Sequence, residues 1–167
     1  VTEISPFLWI TVLALYLPHA TVLSAIDAGE HRLPNRLVGS LTLWVSFGAL
    51  VTAALSKTSR PAIGWAFVLA AGCAVLGIGI ALLAPALIGM GDAKTAPAVV
   101  LMSASLGTEV FLAAMIGIVL LGGVLGGLAW IRTRRADTRF AFGPVLLAGP
   151  FLGLLGAPLV IRALGLT

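Results

Sequence analysis

Long apolar stretches broken by short polar turns run along the whole chain, and their lengths predict helices that cross a membrane. The first stretch covers about 6–26, the second about 37–55, and the polar turn 56–61 separates the second from a third at about 62–83. Between Ala96 and Ile131 Glu109 is the only charged residue, so the apolar run there has no natural end. As one helix it would be about 54 Å long at about 1.5 Å per residue. The hydrocarbon core of a bilayer is only about 30 Å thick, so the run must break. Gly107-Thr108-Glu109 is the place for the break, giving a short fourth span at about 94–106 and a fifth at about 109–131. A sixth follows at about 142–164. The first stretch lacks a basic start and is too long for a cleaved signal peptide, so it is expected to be a permanent helix.

Composition points the same way. Sixty per cent of the 167 residues are hydrophobic, 10% are charged, and the mean hydropathy is +1.14. A soluble domain would carry about 25% charged residues. The expectation is an all-α integral membrane protein: a polytopic bundle of about six transmembrane helices forming one membrane-embedded domain over 1–167, with no soluble domain.

The net charge of +4 is explained by orientation. Seven of the basic residues (Arg32, Arg36, Lys94, Arg132, Arg134, Arg135 and Arg139) fall after spans one, three and five, against three (Lys57, Arg60 and Arg162) on the other side. Basic residues gather on the cytoplasmic side, which would place the first side in the cytoplasm and both chain ends outside. The basic loop is also able to meet anionic lipid headgroups. With no basic helix interleaved with aromatics, nucleic acid is not an expected partner. Cys73, the one cysteine, excludes an internal disulfide and a cysteine-cluster zinc site.

Against this apolar background two aspartates stand out. Asp27 lies in the run Ile26-Asp27-Ala28-Gly29-Glu30-His31-Arg32-Leu33-Pro34-Asn35, and Asp92 in Gly89-Met90-Gly91-Asp92-Ala93-Lys94, both at the expected cytoplasmic ends of spans. A carboxylate at such a place is costly unless it is paired or used. Two carboxyl groups sharing one proton can hydrolyse a peptide bond: one activates water as a base, and the other polarises the carbonyl as an acid. Gly89 and Gly91 would let a substrate backbone or a neighbouring helix come close. Lys94 would stay at headgroup level and bias the carboxylate's charge. A helix-cap role is the alternative for Asp92. It suits Asp27 poorly, because a helix C-terminus disfavours an anion.

Taken together, these two motifs resemble the type IV prepilin peptidases, a family that includes the archaeal preflagellin peptidases. The run from Ile26 to Asn35 is similar to that family's Ile-Asp-x-x-x-His-x-Leu-Pro-Asn pattern, and Gly89 to Lys94 to its Gly-x-Gly-Asp-x-Lys. Phe140-Ala141-Phe142-Gly143-Pro144 resembles the text before the family's last helix, with Ala141 in place of a proline. Thr95 stands where an apolar residue is more usual. Presenilin-like proteases share Gly-x-Gly-Asp, but their first aspartate follows a tyrosine, whereas Ile26 precedes Asp27.

The resemblance implies an aspartyl endopeptidase with Asp27 and Asp92 as its catalytic pair. Its substrate would be a prepilin-like precursor, whose short basic leader is cut after a glycine at the cytoplasmic face. The precursor's apolar helix would lie in the lipid beside the enzyme. The cysteine-rich insertion of the larger bacterial members is missing, so only the peptidase core is matched and methyltransferase activity is not expected. No cofactor and no metal are expected.

The remaining polar residues divide by position. His31 follows Asp27 by one turn if the helix continues, where it would support the pair or substrate; otherwise it is a solvated loop residue. Pro34 and Asn35 are expected to shape the turn into span two. Glu30 and Glu109 are expected to be a solvent-facing residue and an outer helix cap. His19, after Pro18, is expected at a kink with a satisfied imidazole. The small-residue run Gly122-Gly123-Val124-Leu125-Gly126-Gly127 is expected to pack inside the bundle, a seam between copies being the alternative. Two other functions remain open at this stage: a small transporter using Asp27, His19 and Glu109, and a catalytically silent assembly subunit of the same fold.

Overall fold

Apolar length, proline and glycine decide where each helix starts and stops. The computed structural model describes residues 4–85, 88–133 and 141–165, and among them every regular element is a helix. Helix α1 (Pro6–Ile10) passes through a π-helical segment, Thr11–Tyr16, into α2 (Leu17–Glu30). Then come α3 (Asn35–Leu55), α4 (Arg60–Leu83), α5 (Met90–Leu106), α6 (Thr108–Thr133), and the pair α7 (Gly143–Leu147) and α8 (Gly149–Ala163). Four helical stretches are long and apolar enough to cross a membrane: Pro6–Glu30, Asn35–Leu55, Arg60–Leu83 and Thr108–Arg132. The shorter α5 has 17 residues and α8 has 15. This is the make-up of an α-helical membrane protein.

Gly107 makes the break that the apolar run demanded. Its φ of 143° is open to glycine alone among ordinary residues, and it separates α5 from α6 by a single residue.

The π-helical segment leads into Pro18. Proline has no N–H, so the carbonyl one turn earlier loses its donor and the helix loosens on that side. The next side chain, His19, turns back on the same helix, and its Nδ1–H donates to the Leu15 carbonyl at 2.8 Å. Tyr16 points inward from the same segment and is fully buried. Its hydroxyl donates to the Leu147 carbonyl at 2.8 Å, at the α7–α8 junction where the Phe151 N–H turns to Ala148 instead. Its ring meets Phe151 with centroids 5.9 Å apart. Tyr16→Phe is expected to leave that carbonyl unpaired in an apolar bundle and to lower stability by about 1–3 kcal/mol, measured by unfolding in detergent.

Helix α5 is the centre of the bundle. It packs on α3, α4, α6, α7 and α8, and its residues 98–106 are all buried. The reason lies in its side chains, small or medium on every face and including the buried Thr95, Ser103 and Ser105, which let neighbouring helices approach from all sides and belong away from lipid. The surrounding helices turn large apolar side chains outward, among them Trp65 (69% exposed), Val75 (74%) and Leu83 (89%). Such a surface far exceeds what a water-soluble monomer shows and suits contact with lipid.

Helices α6 and α8 approach closely. Gly153 lies against the Val110 carbonyl oxygen with no room for a Cβ, and Gly117 lies against Leu152. The expected packing role of 122–127 is corrected here. Among the described residues only Gly122 is covered, by Phe142; a Cβ on Gly123, Gly126 or Gly127 would meet none of them within 4 Å. Small residues permit close approach only where the helix turns them toward a neighbour, and these three face away.

Candidate active site

Both aspartates sit at the same end of the bundle, on helices that bring them together. Helix α2 runs on to Glu30, beyond the expected end of the first span, so Asp27 lies in its last turn and is only 6% exposed. Asp92 lies in the first turn of α5 and is half-buried. Gly143 touches Asp27, and its neighbours Phe142 and Leu146 line a cavity with Asp92, which brings the two carboxyl groups to one place. Residues far apart in sequence therefore come to one end of the bundle.

Asp27 is held by a third element. The Gly143 backbone N–H, at the start of α7, donates to Asp27 Oδ2 at 2.9 Å in a buried contact. The approach is so tight that a Cβ on Gly143 would stand 2.6 Å from Oδ2 and 2.9 Å from Cγ. Asp92 has no hydrogen bond of this kind among the described residues. Gly89, not Asp92, occupies the cap position of α5, and no side-chain cap bond forms there, so the cap role considered for Asp92 is not what the structure shows.

A cavity of about 730 Å³ opens on the Asp92 side. Its walls are apolar: Leu76 and Ile80 from α4, Ala93 and Ala96 from α5, and Phe142 and Leu146. Cys73 also lines it and is half-buried. Burial in these apolar walls disfavours a free charge, so an acid lining them must be paired or used. Among the described residues no three His, Cys, Asp or Glu side chains come together as a metal site.

The other residues singled out from the sequence fall into place around this pair. Gly91 faces Leu33, where a Cβ would come 3.3 Å from the Leu33 Cβ, so its bareness seats the α2–α3 turn on α5. Gly89 is exposed beside Asp92, with 3.4 Å from a built Cβ to Asp92 Oδ2. Pro34 begins α3, and its carbonyl accepts the Leu37 and Val38 N–H groups. Lys94 does not face the carboxylates: it is two residues beyond Asp92, on another side of the helix, and its Nζ donates to Asn35 Oδ1 at 3.2 Å. This cross-link between α5 and α3 was not anticipated.

His31 also differs from the continued-helix expectation. The helix ends at Glu30, and His31 takes a left-handed conformation (φ 51°) with its side chain exposed. Its backbone N–H, rather than its imidazole, serves Asp27, donating to the Asp27 carbonyl at 2.9 Å. Glu30 is exposed and pairs with Arg32 at 2.6 Å, a surface ion pair of little energetic weight.

Gly143 is the residue that sequence reasoning passed over. Its signal was present in the Phe142-Gly143-Pro144 run, noted for its resemblance alone. Phe140 of that run, and Arg134, Arg135, Asp137 and Arg139 of the basic loop, lie outside the described residues.

Comparison with protein-family models, with curated proteins and with solved structures finds no match to this chain.

Proposed function

We propose that this chain is a membrane aspartyl endopeptidase that cuts prepilin-like precursors. It would remove their short leader after a glycine, at the cytoplasmic face of the cell membrane. The observation that carries the reading is the convergence of Asp27 and Asp92, from separate helices, on the start of α7 at one end of an apolar bundle, beside a cavity. Two carboxyl groups so placed, with one proton between them, are the minimum equipment for adding water to a peptide carbonyl. One removes a proton from the water while the other gives a proton to the carbonyl oxygen. The resemblance of both aspartate motifs to the prepilin peptidases supports the choice of substrate.

In this reading six spans cross the membrane, α5 and the α7–α8 pair adding to the four long helices. The excess of basic residues after spans one, three and five supports an orientation with the aspartates on the cytoplasmic side. The apolar cavity walls suit a substrate whose residues beside the cut bond are apolar. A transporter would need its acids near mid-membrane. Asp27, in the last turn of α2, sits at an end of its helix instead.

The test is direct. The chain is co-produced in membranes with a pilin-like precursor, and the product is read by mass and by N-terminal sequencing. Cleavage after a glycine is expected. Intact precursor, with the chain folded and in the membrane, would overturn the reading.

A further inference from the structure

The two aspartates are not equivalent, and the difference comes from the chain's later part. Asp27 Oδ2 accepts the Gly143 N–H at 2.9 Å in a buried setting, so that oxygen is engaged by a donor and is a poor place for a proton. Asp92 receives no such donor among the described residues and faces the apolar cavity. When two neighbouring carboxyl groups hold one proton, it settles where the surroundings favour the neutral form. We infer that Gly143 is a positioning residue whose backbone N–H fixes Asp27 as the base of the pair and leaves Asp92 as the acid. The inference rests on the peptidase reading and goes beyond it by giving each aspartate its role.

The chemistry then runs in one direction. A water oxygen bonds to the scissile carbonyl carbon, one water proton passes to Asp27, and the Asp92 proton passes to the carbonyl oxygen. The product is a neutral gem-diol. On collapse the C–N bond breaks, Asp27 hands its proton to the leaving nitrogen, and a gem-diol hydroxyl returns its proton to Asp92. One water is consumed, a carboxylic acid and an amine leave, and both aspartates regain their starting forms.

Only glycine fits at 143. Any side chain would put a carbon 2.6 Å from Asp27 Oδ2, so either the carboxylate turns away or α7 withdraws, and both break the N–H contact. The segment that carries Gly143 is also tied down from both sides. Phe142 fills the notch at Gly122 on α6, and Tyr16 holds the Leu147 carbonyl at the far end of α7.

The experiment uses the full chain in detergent, with ¹³C at the carboxyl carbon of aspartate. The sequence has three aspartates, Asp27, Asp92 and Asp137, so each signal is assigned by its loss in the matching Asp→Asn variant. At about pH 5, where an ordinary aspartate is ionised, the wild type is expected to show Asp92 as an acid and Asp27 as a carboxylate. In Gly143→Ala the Asp27 signal moves, kcat on a precursor falls about 100-fold, and KM stays within about threefold. A purely structural role would not produce that split.

The reverse assignment in the wild-type spectrum, or a folded Gly143→Ala with wild-type kcat, overturns the inference. If Gly143→Ala fails to fold, the wild-type spectrum decides alone. Failure of the peptidase reading has a separate signature: no precursor is cut, whatever the spectrum shows.

Discussion

Asp27→Asn and Asp92→Asn are each expected to abolish leader cleavage while the bundle stays folded. General acid or base catalysis by one side chain contributes about 10²–10⁴-fold to a rate. Groups that act as a unit lose nearly everything when either is removed, so each single variant should fall to background and the double variant no further. Folding survives for a local reason in each case. Asparagine at 27 keeps an oxygen that can accept the Gly143 N–H, and Asp92 caps nothing that its amide would abandon. The check is precursor cleavage by each variant, beside helix content and thermal unfolding of the same samples. Cleavage surviving in either variant at more than about a hundredth of wild type would remove the two-aspartate mechanism.

The largest stability effect is expected at Gly153. Its Cβ would enter the space of the Val110 carbonyl oxygen and come 2.9 Å from Val110 Cγ1 and 3.0 Å from the Ala114 Cβ. A flexible side chain can move aside, but a helix backbone carbonyl cannot, so α6 and α8 must separate along their length. Overpacking of this kind costs about 1–3 kcal/mol or more. Gly123→Ala supplies the control, because open space surrounds that position. There the better helix propensity of alanine should leave stability equal or raised by up to about 1 kcal/mol. Unfolding of both variants in the same detergent reads the contrast. Equal behaviour of the two would mean that α6 and α8 do not pack as described.

Much of the architecture was written in apolar length. The polar turn 56–61 and the charge-poor run 96–131 placed the helix ends because a bilayer sets how long an apolar helix can be. Gly107 was legible as a break because one helix through it would overrun that length. The aspartates were legible because a carboxylate among apolar residues needs a reason. Other features depended on contacts that no local pattern encodes. Gly143 touches Asp27 across 116 positions, and Lys94 finds Asn35 across 59. His31 leaves the helix by a left-handed turn although Gly29, the better residue for such a turn, lies two positions earlier. The facing of Gly123, Gly126 and Gly127 depended on how α6 is rotated, and glycine spacing says nothing about that.

The hydrogen bond across 116 positions also sets a schedule for biosynthesis. A ribosome delivers residue 27 and residue 92 to the membrane well before residue 143. Until α7 docks, a half-made chain holds two acids, and Asp27 lacks the donor that orients it. On the proposed peptidase reading the chain would be silent while it is being inserted, and would become competent only when its later helices close the bundle. Co-producing residues 1–133 and 141–167 as separate polypeptides would turn that order into a switch: hydrolysis would begin when the second piece arrives.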